Sequence, residues 1–172
     1  YDKRVRLALA MAIDTKAMVD KLFQGIPTRP VRLNPWELGY DQTLKPYPYD
    51  PAGAKKLLAQ AGYPNGFEMP LYYFVGRASG QKETAEMVAL YLNAIGVRCK
   101  VEGIEAIRLI EKVREWRKST DTVYAGVATV PTANYADPTQ ALEIGFYSKS
   151  PISFYQNPAF DVVLELARGS LD

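Results

Sequence analysis

The sequence predicts an α/β fold built on a parallel central sheet, and three observations carry that prediction. Between residues 68 and 130 two periodicities take turns, an alternating strand pattern and a helical one, in the order strand, helix, strand, helix, strand. The alternation is cleanest at 97–104, where Val97, Cys99 and Val101 share one face and Arg98, Lys100 and Glu102 the other. Helices in that stretch are punctuated by glycine, as Gly96 after Ala94 illustrates. A β-α-β-α-β succession implies parallel strands joined by right-handed crossovers. The expected architecture is therefore a central sheet of at least three strands flanked by helices, in a single α/β domain spanning residues 1–172 with no internal repeat.

The elements follow in order. Asp2 caps a first helix running to about Ile13, with Val5, Leu9 and Ala12 on one face; Asp14 then caps a second, Thr15 to Phe23. Residues 26–49 hold prolines at 27, 30, 35, 46 and 48, which predicts an extended connection. Tyr47 and Tyr49 are expected to pin it to the domain. Asp50-Pro51 is an N-cap followed by proline at the first helical position, and Gly62 ends that helix. Glu68 to Phe74 reads as the first strand, Glu83 to Ala94 as a helix, and Val97 to Ile104 as the second strand. Ile107 to Lys118 is amphipathic, with Ile107, Leu109, Ile110, Val113 and Trp116 as its apolar positions. Thr122 to Val130, rich in small and β-branched residues, is expected to be a buried third strand. Asp137-Pro138 opens a short helix to about Phe146, and Asn157-Pro158 opens a last one.

Composition narrows the function. The chain has 172 residues, a formal net charge of +2 and scattered basic residues, which argues against a nucleic-acid surface. It has no histidine and one cysteine, Cys99, so the commonest general base, the commonest metal ligand and any internal disulfide are excluded. Cys99 lies in an alternating apolar run and is expected to be a buried, unreactive thiol. No glycine-rich phosphate loop and no nucleophile beside a base is evident; Glu102 and Glu105 are the only suggestive pair, and they read as solvated charges. An enzyme is not expected, nor a cofactor or metal.

In an open parallel sheet the ligand crevice lies outside the carboxyl ends of the strands. Those ends correspond here to Gly76–Gly80, to the turn at Gly103–Glu105, and to Pro131–Pro138. Arg77 sits between glycines just before a helix amino terminus, where free amides, the helix dipole and a guanidinium suit an anion. Tyr135 either stacks on a ligand or fills the edge of the domain, and Asp137 either meets a ligand or caps the helix at Pro138. Tyr72 and Tyr73 point to opposite faces, so at most one reaches the crevice.

Three segments carry a resemblance: Val5-Arg6-Leu7-Ala8-Leu9-Ala10-Met11-Ala12-Ile13-Asp14, then Gly39-Tyr40-Asp41 through Tyr47-Pro48-Tyr49-Asp50-Pro51 to Gln60-Ala61-Gly62-Tyr63, then Asn157-Pro158-Ala159-Phe160-Asp161. In sequence and order they resemble the peptide-binding family 5 of extracytoplasmic solute-binding proteins, the receptors of ABC importers. The resemblance implies a fragment of a larger receptor, one lobe of a two-lobed periplasmic-binding-protein fold. It implies a periplasmic or extracytoplasmic location at the membrane transporter, and a peptide or other small polar solute held between the lobes. The partners it implies are the ABC permease subunits and the other lobe of the same receptor. Peptide receptors of the family have an arginine in the loop equivalent to that of Arg77, where it receives a ligand carboxylate. The Pro131–Pro138 loop resembles the family's "GWxxDxxDP" region, whose first aspartate pairs with the ligand's ammonium. Asn134 falls on that aspartate and Pro131 on the tryptophan, two departures. An asparagine accepts a hydrogen bond from an ammonium without neutralising it. An oligosaccharide or other non-peptide ligand is thus the alternative, as is a sensory or interaction module without transport.

Overall fold

The computed structural model describes residues 2–22, 41, 43, 45–76, 79–119, 125–128, 139–151 and 153–169. Its elements are α1 (Lys3–Met11), α2 (Thr15–Leu22), α3 (Pro51–Gln60), β1 (Phe67–Phe74), α4 (Gln81–Ala94), β2 (Val97–Ile104), α5 (Ala106–Lys118), β3 (Gly126–Ala128), α6 (Thr139–Phe146) and α7 (Pro158–Gly169). The chain gathers into two compact units, Tyr1–Thr28 with Pro46–Ala106 and Asp121–Thr132, and Arg29–Lys45 with Ile107–Thr120 and Ala133–Asp172.

In the first unit the caps read from the sequence are in place. Asp2 accepts from the Arg4 amide at 2.8 Å, Asp14 from the Ala17 amide at 2.9 Å and Asp50 from the Gly53 amide at 2.8 Å. Each satisfies one of the amide donors that a helix start leaves without a partner. Helices α1 and α3 are tied at both ends: the Asp50 amide donates to the Met11 carbonyl at 2.9 Å, and Arg4 Nη1 to the Gln60 carbonyl at 2.6 Å. Between those ties Val5 and Ala8 of α1 and its C-cap Ala12 meet Ala54 and Leu58 of α3 in one buried cluster. The small alanines permit the close approach, and Leu58 fills the space left. Tyr49 is held against Tyr91 of α4, ring edge to face at 5.9 Å, while Tyr47 is exposed.

The sheet has the order β2-β1-β3, and both pairings are parallel. The register runs from Phe67↔Val97 to Phe74↔Ile104, so β1 and β2 end level, and β3 lies beside Leu71 to Tyr73. The predicted β-α-β-α-β order is thus present, with β1 central. Met69, Leu71 and Val97 of the sheet pack with Ala85, Ala89, Leu92 and Ile95 into the core that also takes α1 and α3.

Two strand turns touch at the amino edge. Gly66 and Gly96, at φ +69° and +92°, precede β1 and β2, and a Cβ on Gly66 would lie 1.9 Å from the Gly96 carbonyl oxygen. Only glycine fits both the left-handed backbone and that approach.

Three details differ from the sequence reading. Helix α4 starts at Gln81, two residues earlier, because Gly80 at φ 81° begins it without any side-chain cap for a pattern search to find. Val127 is 43 % exposed, since among the described residues β3 pairs with β1 alone; burial was expected over Thr122 to Val130, of which 122–124 and 129–130 lie outside the described residues. On α5 the buried positions are Leu109 and Val113, one turn apart, and Ile107 is 58 % exposed.

The second unit is held by polar and aromatic contacts. Arg117 donates to the Ser150 carbonyl at 2.5 Å; the buried Ser150 and Ser153 hydroxyls donate to the Ile144 and Gly145 carbonyls at 2.9 and 3.0 Å. Phe146, Tyr155 and Phe160 form a mutual edge-to-face trio with ring centres 5.7 to 6.1 Å apart. Asn157 caps α7 through the Ala159 and Phe160 amides, as its Asn-Pro pair led one to expect.

Candidate solute-binding edge

Parallel strands that end level place their following turns on one edge. After Phe74 the chain continues with one more rung, the Val75 amide donating to the Ile104 carbonyl at 3.1 Å, before Gly76 (φ 72°) turns away. After Ile104 comes the exposed Glu105, and Ala128 of β3 lies beside Tyr73 near the same edge. The parallel pairing therefore makes this the carboxyl edge of all three strands.

Of the residues singled out from the sequence, Arg77, Asn134, Tyr135 and Asp137 all lie outside the described residues. What is described is the frame around them. Tyr72 is buried, whereas Tyr73 is half-buried and its ring end reaches over Gly103, its partner on β2: a Cβ at Gly103 would stand 2.9 Å from the Tyr73 hydroxyl. Gly103 thus leaves room for the phenol at the carboxyl edge. Glu102 is engaged by the exposed Lys100 at 2.8 Å, and Glu105 is exposed.

At the opening of α4 the Gly80 carbonyl accepts both the amide and the hydroxyl of Thr84, at 2.9 and 2.6 Å. The helix has no side-chain cap. Gln81 beside it is buried: its Oε1 accepts from the Phe74 amide at 3.3 Å, and its Nε2 has no partner. The sequence held no signal for this residue, because a glutamine at a helix start is ordinarily exposed.

The rest of the chemistry is sparse. Among the described residues no group of three histidine, cysteine or acidic side chains could hold a metal. Burial pushes the Cys99 thiol up to about 11, so the thiolate, the reactive form, is scarce at neutral pH. A shallow polar depression of about 370 Å³ lies elsewhere, lined by Lys55, Tyr63, Asn65, Asn93 and Gly96. These residues flank the starts of β1 and β2, the amino edge, where an open parallel sheet does not hold its ligand. No helix among the described residues is long and apolar enough to cross a membrane.

A parallel α/β sheet whose turns open on a common edge is a frame that periplasmic binding proteins share with other open α/β folds. The comparisons narrow that class: the family model of bacterial extracellular solute-binding proteins, family 5 Middle, matches residues 1–151, and the chain belongs to that family. The family consists of binding proteins, not enzymes. The glutathione-binding protein GsiB of Escherichia coli (strain K12) is 36% identical over 103 residues, 60% of this chain and 20% of that protein. The ABC transporter-associated periplasmic binding protein DppA from Helicobacter pylori, solved with the peptide STSA, superposes with a TM-score of 0.77 at 27% identity. It is matched over 99% of this chain and 33% of its own. HbpA2 from Haemophilus parasuis gives 0.76 at 29%, over 98% of this chain and 34% of its own. The match therefore spans about a fifth of the curated relatives and a third of the solved chains.

Proposed function

We propose that the chain is one lobe of a two-lobed extracytoplasmic receptor that holds a peptide or peptide-like solute between its lobes and hands it to a membrane ABC permease. The observation that carries this reading is the level carboxyl edge of β1 and β2 with β3 beside them, in a chain of this family. Lobe closure by hinge bending would bury the solute there, and ATP hydrolysis would occur on other subunits. Arg77 is the proposed partner of a solute carboxylate. Asn134, Tyr135 and Asp137 are the other proposed solute contacts, Asp137 with the competing role of capping a helix at Pro138. The peptide reading draws further support from the relatives, one named for glutathione and one solved with a tetrapeptide.

Asn134 favours a second reading: a site with a neutral acceptor where an aspartate would meet an ammonium also suits a neutral polar solute such as an oligosaccharide. Calorimetric titration of the intact receptor with glutathione, trialanine and maltotriose separates the two. Binding of a peptide in the micromolar range or tighter, weakened in Arg77→Ala, supports the first. Binding of the sugar alone, or of none of the three, refutes it.

A further inference from the structure

We infer that the side-chain amide of Gln81 is a further solute contact, its Nε2 donating to a carboxylate oxygen of the peptide. The inference rests on the proposed role of the carboxyl edge.

Gln81 is 2 % exposed, one of the largest wholly buried side chains in the chain, yet it is polar and half of its amide is unused. The orientation is fixed by chemistry: Oε1 accepts from the Phe74 amide at 3.3 Å, and a flipped side chain would set NH₂ against N–H. The free donor therefore sits where the end of β1 meets the start of α4, at the base of the turn that joins them. Buried donors without a partner are rare in folded proteins.

The same place offers further donors. Helix α4 is 14 residues long, begins at Gly80 without a side-chain cap, and makes its first backbone bond from Thr84. The amides of its first turn and the positive end of its dipole thus face the carboxyl edge beside the Gln81 nitrogen. The Gln81 nitrogen and the first-turn amides are donors, and donors at the positive end of a helix suit an anionic oxygen, which in a peptide belongs to a carboxylate. Among the described residues the charged side chains at the start of α4 are Lys82, which pairs with Glu86 at 3.7 Å, and the exposed Glu83. The nitrogen is covered in the solute-free chain, so solute binding has to expose it.

The test uses the intact receptor with reduced glutathione and trialanine as probes, titrated into wild type, Gln81→Glu and Gln81→Met. Glutamate keeps an acceptor for Phe74 and, where ionised, repels a solute carboxylate; methionine removes donor and acceptor together without adding charge. Both variants should bind whichever probe the wild type binds at least about tenfold more weakly, as loss of one bond to a charged group requires. The solute-free melting temperature of the methionine variant should fall only by what loss of the Phe74 bond costs, and the loss of binding should exceed it. Wild-type binding with unchanged affinity in both variants overturns the inference and leaves the proposed function standing. Loss of binding that merely tracks a loss of solute-free stability assigns the amide a structural partner and also overturns it. Failure of the wild type to bind either probe overturns the function and this contact together. A readout without substitution completes the test: the Gln81 side-chain NH₂ resonances must shift when the bound probe is added, and their constancy refutes the contact.

Discussion

Replacing Gly66 by alanine tests the packing of the two strand turns, and its size follows from the structure. Gly66 has φ +69°, where an L-residue costs about 1–2 kcal/mol over glycine. The new Cβ would stand 1.9 Å from the Gly96 carbonyl oxygen and 2.3 Å from its carbon, where contacts below 3.0 Å are essentially never seen. Both atoms are backbone, so no side chain can swing away. Relief must part the turns by more than an ångström, at the first rung of the sheet, Phe67↔Val97, with the fully buried Val97 beneath it. Overpacking of that kind adds about 1–3 kcal/mol. The sum, about 2–5 kcal/mol, lowers the melting temperature of a protein this size by about 5–20 °C. Gly62→Ala is the control: φ is +94°, but nothing lies within 4 Å, so only the conformational cost of about 1–2 kcal/mol remains. Thermal unfolding followed by circular dichroism should rank Gly66→Ala well below Gly62→Ala. Equal melting temperatures would refute the argument from close approach.

Three other outcomes are expected. Asp2, held at about 2 by the hydrogen bonds it accepts from the Arg4 side chain and amide, binds its proton less readily folded than unfolded. Its stabilising effect is full above the ordinary value of 3.8 and gone once pH falls through about 2, so the melting-temperature gap between wild type and Asp2→Asn should narrow over that window. Cys99, raised from 9.0 to about 11, should react with iodoacetamide at pH 8 at least about tenfold more slowly in the native protein than in urea; equal rates would contradict its burial. In the intact receptor Asn134→Asp should tighten binding of peptides with a free amino terminus by about tenfold, read by calorimetry; no change would separate residue 134 from ammonium recognition.

The order of elements was legible because periodicity and punctuation agree: alternation at 97–104, Asp-Pro at 50–51, glycines after α3 and α4. Local signals of that kind also place helix starts to a residue where a carboxylate caps, as at Asp2, Asp14 and Asp50. They miss α4, whose cap is a glycine backbone in the left-handed region. Tertiary choices were less legible. Which of the apolar positions on α5 is buried depends on neighbours, and so does the exposure of Val127, which follows from β3 pairing with β1 alone among the described residues. The carboxyl edge itself was readable, since it needs only strand polarity. The Gln81 amide was not, because an unpaired buried donor is a property of the packed chain and leaves no trace in the order of residues.

Hydrogen exchange of the intact receptor, with and without saturating glutathione, puts the carboxyl edge to the most direct trial. Slower exchange should concentrate in the backbone from Val75 to Glu83 and around Glu105, leaving the turns at Tyr63–Gly66 and Asn93–Gly96 unchanged. Protection confined to those two turns, around the polar depression, would show that the solute sits at the opposite end of the sheet.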